Sequence, residues 1–187
     1  MQCPKDKKID LVDGLLAGEL AVKQCPDCKG TWIPPEEYKA WQSQQPEQEA
    51  DPERLTQPLD VNFVQSPLDT RAAFCPECNL YLSRAKVDVN PPFYVERCLA
   101  CGGIWCDRGE WDILEKLGFH TTIQQLFTAD WQMQVREKQQ ADREREATIE
   151  KLGPEIAARI FELAELLEDH PNGDFGVAYL MRRFDNQ

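Results

Sequence analysis

Cysteine is the residue type whose spacing in this chain could do chemistry. Eight cysteines occur among 187 residues. Four of them form two CxxC pairs, Cys75 with Cys78 and Cys98 with Cys101, separated by 19 residues. Each CxxC pair can present two thiolates from one tight turn, and two pairs at about this separation supply the four ligands of a tetrahedral metal ion. The spacing therefore predicts a metal site formed by these four cysteines.

A similar arrangement occurs upstream, with one substitution. Cys3 and Asp6 stand where the first pair would be, and Cys25 and Cys28 follow after 18 residues. A carboxylate oxygen can bind zinc, although we expect it to bind less tightly than a thiolate. We predict a second site formed by Cys3, Asp6, Cys25 and Cys28. The alternatives are a neighbouring residue as the fourth ligand, or a degenerate site that stays empty.

The residues that follow the later pair of each unit also correspond. The sequence CPDCKGTW at 25–32 aligns with CLACGGIW at 98–105. An acid stands five residues beyond each tryptophan, Glu37 in the first unit and Glu110 in the second, and an aromatic residue follows it. Chance rarely places a glycine, a tryptophan and an acid at matched offsets, so the pattern indicates an internal duplication.

Both units resemble the bacterial zinc ribbon of the transcription factor IIB type, whose pattern is CPxC, a hairpin and then CxxCgGiWLDrgEle. Residues 98–110 follow this pattern closely, except that Cys106 stands where the family usually has leucine. The first copy departs from the pattern more, above all at Asp6. The resemblance covers residues 1–42 and 74–118. It implies Zn²⁺ as the metal, with two ions per chain, and a β-hairpin plus a short helix in each ribbon.

The ligands alone leave other metal and redox states open. Four thiolates fit zinc or the iron of a rubredoxin-like electron carrier equally well, and the resemblance favours zinc. Disulfides would suit a secreted protein, but no apolar signal region follows Met1 and no apolar run approaches the roughly 18 residues of a membrane span. We therefore expect a cytoplasmic, reducing location. Cys106 is either a small buried residue in place of leucine or a thiol that senses oxidation.

The fold class predicted is a small metal-stabilised α+β protein, in which two zinc ribbons precede an α-helical C-terminal region. Units of this length usually need a metal or disulfides to fold, because their cores are small, and we expect a metal to do this here. The residues between the ribbons are rich in Gln, Pro and acids, a composition typical of a flexible linker. The predicted boundaries are 1–42 for ribbon 1, 43–60 for the linker, 61–118 for ribbon 2 and 121–187 for the helical tail.

Local patterns predict several elements inside these regions. Residues 61–64 alternate like a short strand. Asp107 has the form of a helix N-cap, with Glu110 three residues later, so both acids are predicted to be structural. In the tail, a helix is expected from Thr121 or Thr122 through Trp131.

The rest of the tail is predicted to be helical in three parts. Nine of the fifteen residues at 136–150 are charged, which fits either a solvated helix or a frayed one. Gly153 and Pro154 should end this helix and open an amphipathic one. A last amphipathic segment is predicted at 175–184. We expect the last two helices to form a hairpin with its own small core; the alternative is that their apolar face docks on another protein or on a second copy of this chain.

Charge and site chemistry limit the function. The formal net charge is −12, and phosphate backbones repel such a surface. A closed four-cysteine site offers no open coordination position, and no catalytic trio can be argued, so we expect a protein that is not an enzyme. The first hypothesis is an adaptor or assembly factor that binds a protein through its helical tail or the faces of its ribbons; a homo-oligomer is also open. The alternatives are a nucleic-acid-binding transcriptional regulator, which the family name suggests, and a redox-sensing thiol or iron protein.

Overall fold

The computed structural model describes residues 1–46, 51–56 and 63–184. Within them the chain forms an antiparallel sheet of six strands and five α-helices, the mixed α+β composition that the sequence predicts. The chain divides into two compact units, Met1–Gln134 and Val135–Gln187. No helix of the described ranges is long and apolar enough to cross a membrane.

The sheet has the order β1-β2-β3-β6-β5-β4, so its two halves mirror each other along the chain. The hairpins predicted between the cysteine pairs are present: β1 pairs with β2, and β4 with β5. The third strand of each half directly follows the second cysteine pair and was not predicted. The strands are β1 (Val12–Leu16), β2 (Leu20–Gln24), β3 (Thr31–Ile33), β4 (Ser83–Val87), β5 (Phe93–Arg97) and β6 (Ile104–Cys106).

The two halves join where β3 pairs with β6, and Trp32 lies opposite Trp105 in that pairing. Each tryptophan packs on the glycine of the other half. A Cβ atom added to Gly30 would lie 2.2 Å from Cζ2 of Trp105, and one added to Gly103 would lie 2.1 Å from Cζ2 of Trp32. Both indoles are fully buried. The glycine and tryptophan repeated in the sequence therefore form the junction between the halves.

A short helix follows the third strand of each half. Helix α1 (Pro35–Gln42) opens on a proline, as predicted. Helix α2 (Glu110–Leu117) begins later than predicted, because Gly109, with φ 81°, is its N-cap. Only half of the predicted capping box forms: the Asp107 amide donates to Glu110 Oε2 at 2.7 Å. The Asp107 side chain instead accepts a hydrogen bond from the Trp105 indole at 2.8 Å.

Helices α1 and α2 meet in an aromatic cluster. The rings of Trp41 and Trp111 lie 5.6 Å apart, and the His120 ring is 5.7 Å from Trp41. The Tyr38 hydroxyl donates to the His120 carbonyl at 2.7 Å and accepts from the Ile123 amide at 3.3 Å. This hydroxyl attaches the segment after α2 to α1.

The described part of the predicted linker is ordered in one place. Residues Pro52–Thr56 form a 3₁₀ turn in which Leu55 is buried. Arg54 donates from its guanidinium to the Leu117 carbonyl at 3.1 Å. Two parts of the linker, 47–50 and 57–60, lie outside the described residues. So do the first two residues of the strand predicted at 61–64. Residues 63 and 64 are not in a strand.

The helix predicted from Thr121 or Thr122 through Trp131 is wrong as one element. Residues Ile123–Phe127 form a 3₁₀ turn, and Thr128, in extended conformation, ends it before α3 (Ala129–Leu152) begins. The buried Ile123, Leu126 and Trp131 belong to the first compact unit. Tertiary packing of these side chains selects the tighter turn over a continuous helix.

The second compact unit is helical. The charged stretch at 136–150 lies within α3, which is the solvated-helix alternative. Gly153 and Pro154 separate α3 from α4 (Pro154–Glu168), which confirms the predicted break. Helix α5 (Gly173–Phe184) follows a short turn. Its first residue, Gly173, has no room for a side chain, since a Cβ atom there would lie 1.7 Å from the Leu167 carbonyl oxygen.

Candidate metal centres

The four thiols of the second half converge at one point. The sulfur atoms of Cys75, Cys78, Cys98 and Cys101 all lie within 4.8 Å of one another. Cys75 and Cys101 are 3.6 Å apart through their sulfurs, and Cys78 and Cys98 are 3.4 Å apart. Zinc–sulfur bonds of about 2.3 Å in a tetrahedron give sulfur–sulfur separations of about 3.8 Å, whereas a disulfide requires about 2.05 Å. The donor set and spacing fit a tetrahedral metal ion.

The turns that hold these thiols share one backbone geometry. In each, the amide of the first cysteine donates to a carbonyl five residues later: Cys75 to Leu80 at 2.7 Å, and Cys98 to Gly103 at 2.9 Å. The residue after the second cysteine has a left-handed φ, 57° at Asn79 and 88° at Gly102. Glycine and asparagine adopt this conformation more readily than other residues.

The first half brings three thiols together. Cys3, Cys25 and Cys28 have sulfur atoms within 4.8 Å of one another, and those of Cys3 and Cys28 are 3.7 Å apart. The turn at Cys25 has the same geometry as the two turns of the second half, with Lys29 at φ 62°. Three ligands of a metal site are therefore in place.

Asp6 is outside this group of three. Its Oδ1 accepts a hydrogen bond from the Lys8 amide at 3.1 Å. The turn is also one residue longer than the others, since the Cys3 amide donates to the carbonyl of Ile9, six residues on. The Asp6 amide donates to Cys3 Sγ at 3.3 Å, as the Cys78 amide donates to Cys75 Sγ at 3.5 Å, so the backbone of Asp6 takes the position of a second cysteine. The role of Asp6 as the fourth ligand stays a prediction.

The pKa values of the Cys98 and Cys106 thiols are shifted in opposite directions. Burial raises the pKa of the Cys98 thiol, but hydrogen bonds from the Cys101 and Ala100 amides and with the Cys78 and Cys101 thiols together bring that pKa down to about 7. Cys106 lies in β6, fully buried, where desolvation and the nearby carboxylate of Glu110 raise its thiol pKa well above the usual value. The Cys106 thiol therefore stays protonated and packs as an apolar residue.

A hydrogen bond links the second centre to the other half. The Trp32 indole N–H donates to Glu77 Oε1 at 3.0 Å, and Glu77 lies inside the Cys75–Cys78 turn. Sequence reasoning missed this contact, because Glu77 carries no signal in its own half. The partner of Glu77 is a residue 45 positions away.

A buried ion cluster lies close to both centres, and sequence reasoning missed most of it. Lys5, from the first cysteine turn, forms an ion pair with Glu96 of β5, and both side chains are fully buried. The Lys5 ammonium also donates to the Leu68 and Arg71 carbonyls, at 3.2 Å and 2.9 Å. The members of this buried ion cluster are Lys5, Asp69, Arg84, Glu96, Asp107 and Glu110.

Acids outnumber bases in the buried ion cluster, four to two. Desolvation raises the pKa of Glu96 to about 8, although Lys5 opposes the shift. The same cause, together with the carboxylate of Asp107, raises the pKa of Glu110 well above its usual value. Glu110 Oε1 has no hydrogen-bond partner among the described residues. A neutral, protonated Glu110 is the state that this environment favours.

Comparison with known proteins supports one zinc ribbon directly. Residues 2–44 match the family described as "Transcription factor zinc-finger". Support for a metal site in the second half comes from its own cluster of four cysteines. Comparison with curated proteins and with solved structures gives no match. Residues 2–44 are therefore similar to the zinc ribbons of this family, and their thiols form a candidate metal site.

Proposed function

We propose that the chain is a zinc-binding protein with two ribbons of the transcription factor IIB type, one in each half of the sheet. The observation that carries this proposal is the convergence of Cys75, Cys78, Cys98 and Cys101 at tetrahedral spacing. The family match at 2–44 supports the other ribbon. Bound zinc would supply structural cross-links here, since four protein ligands leave no position for a substrate.

We propose further that the protein is not an enzyme and acts as an adaptor or assembly factor that binds another protein. Apolar side chains are exposed on and beside the turns that hold the second centre. Leu99 is 70% exposed in one turn, and Phe74, Leu80 and Tyr81 are exposed around the other. We call these four residues the knuckle patch. Exposed apolar groups on a rigid platform are typical of protein-binding surfaces.

The charge of the chain favours a protein partner over nucleic acid. The net charge of −12 opposes phosphate contacts, and a four-thiolate zinc site adds further negative charge. The family description keeps a transcriptional regulator as the second candidate. It predicts binding to DNA or RNA whose affinity falls steeply with salt.

The test is stoichiometric binding by the zinc-loaded chain in extracts treated with nuclease. The proposal predicts that Leu99→Asp abolishes retention of the partner, because it places a charge in the knuckle patch. Leu15→Asp is the matched control, since Leu15 is exposed on β1, away from the centre. If the partner is no longer retained after nuclease treatment, or if the chain binds DNA or RNA directly at low salt, the transcriptional regulator would be favoured instead.

A further inference from the structure

An apolar groove of about 870 Å³ lies between α4 and α5 in the second unit. The turn at His170 and Pro171 closes one end of the helical hairpin, and the other end is open. The apolar walls of the groove are Ile160, Leu163 and Leu167 from α4, and Val177, Leu180 and Phe184 from α5.

The prediction that the helical hairpin has its own small core is wrong. Among residues 154–184, which the structure describes completely, only Ala157 and Gly173 are buried. Phe184 in the groove is 74% exposed. Helix α3 does not cover the groove: it contributes no residue to its walls. Two short helices with an open apolar face are unstable in water, so this face must be covered for the hairpin to be stable.

Charge is distributed unequally between the two ends of the hairpin. The loop end carries acids, and no ion pair compensates them among the described residues. The open end carries most of the basic residues. The acids at the loop end are Glu165, Glu168, Asp169 and Asp174, and Glu162 lies near the middle of α4. The charged residues nearer the open end are Glu155, Arg159, Arg182 and Arg183, and Asp185 is the next charged residue in the sequence.

We infer that a second copy of this chain covers the groove, in a twofold arrangement that forms an antiparallel four-helix bundle. A twofold axis perpendicular to the helices places the acidic end of one hairpin on the basic end of the other, and each contact then occurs twice. Helix α4 is about 22 Å long, at 1.5 Å per residue. Two such helices side by side form one face of an ordinary four-helix bundle.

The choice of a second copy rests on this self-complementary charge. Each hairpin has an acidic end and a basic end, so two copies can pair oppositely charged ends. Electrostatic complementarity fixes the orientation of such an association. The inference goes beyond the proposed function, because it concerns the tail and does not involve the knuckle patch or the metal centres.

The test is the oligomeric state of the zinc-loaded full chain, measured by sedimentation over a range of concentrations. The wild type is expected to dimerise. Ala164→Glu places a charge in the groove and should weaken the dimer by at least about 100-fold. Ala158→Glu is the matched control: both alanines are exposed on α4, and only Ala164 lines the groove. Circular dichroism and zinc content verify that both variants fold.

A charge exchange tests the antiparallel orientation. Arg183→Glu and Glu168→Arg should each weaken the dimer, by about tenfold, because each rim pair occurs twice. Combining the two changes should restore it. Arg143→Glu, in α3, controls for the change in net charge.

Three results would overturn the inference. A wild type that stays monomeric at every concentration would show that the groove is covered by the same chain or by an unrelated protein. An Ala164→Glu variant that dimerises as tightly as the wild type would place the interface elsewhere. Failure of the combined charge exchange to restore the dimer would contradict the antiparallel arrangement.

Discussion

At the scale of single residues, two acids of the second half, Asp107 and Glu110, have structural roles. Asp107 and Glu110 belong to the pattern that the zinc-ribbon resemblance supplied, and the sequence predicted a structural role for both. The structure adds their surroundings: both are buried beside Glu96 and Asp69, with Lys5 and Arg84 as the only cations of the buried ion cluster among the described residues. Local sequence could not predict this cluster, because Lys5 and Glu96 are 91 positions apart.

Glu110→Gln should change the pH dependence of stability. Burial raises the folded-state pKa of Glu110, so the folded protein retains a proton that the unfolded chain loses. The wild type therefore loses stability as the pH rises from the unfolded carboxyl pKa towards the raised folded one. Glutamine does not ionise, so the variant lacks this loss. Its free energy of unfolding should therefore rise relative to that of the wild type by up to about 1.4 kcal/mol per pH unit.

Denaturant unfolding of the zinc-loaded proteins at several pH values measures this difference. Asp112→Asn is the control, since Asp112 lies on the same helix and is exposed. Parallel stability curves for the wild type and Glu110→Gln would mean that Glu110 is ionised in the folded protein.

At the scale of elements, the hairpins were predictable and the strands that join them were not. The zinc-ribbon resemblance implies one hairpin between the cysteine pairs of each half, and β1 with β2 and β4 with β5 form these hairpins. The joining strands β3 and β6 have three residues each, too few to show an alternation. The repeat of glycine and tryptophan indicated duplication, but packing of each copy's tryptophan on the other's glycine is a non-local contact.

Gly103→Ala should destabilise the junction of β3 and β6. Its Cβ would lie 2.1 Å from the Trp32 ring, and the buried indole has no space to move. We expect a loss of about 1–3 kcal/mol in the free energy of unfolding, with weaker zinc binding in both halves. Gly14→Ala is the control, because its Cβ meets only the flexible Gln24 side chain. Equal effects of the two substitutions would contradict the packing described.

Tyr38→Phe tests the attachment of the segment after α2 to α1. The hydroxyl bonds one carbonyl and one amide of that segment, and its loss leaves both without this partner. We expect a cost of about 1–3 kcal/mol, measured by denaturant unfolding. Tyr81→Phe should cost almost nothing, since Tyr81 is 57% exposed. A Tyr38→Phe variant as stable as the wild type would show that water replaces the hydroxyl.

At the scale of the whole molecule, metal and folding should be coupled in the first unit. Both cysteine clusters and all five tryptophans lie within Met1–Gln134. Removing the metal with a chelator should therefore shift tryptophan emission to longer wavelength, and added zinc should reverse the shift. Unchanged emission after verified loss of metal would mean that the sheet is stable without it.

The most direct measurement is metal content by elemental analysis of protein purified without added metal, together with a count of reactive thiols. Two zinc ions per chain are expected, with Cys106 as the one cysteine outside the centres, reactive only after unfolding. A folded protein that contains iron, or that has its cysteines in disulfides and no zinc, would contradict the assignment of two zinc centres.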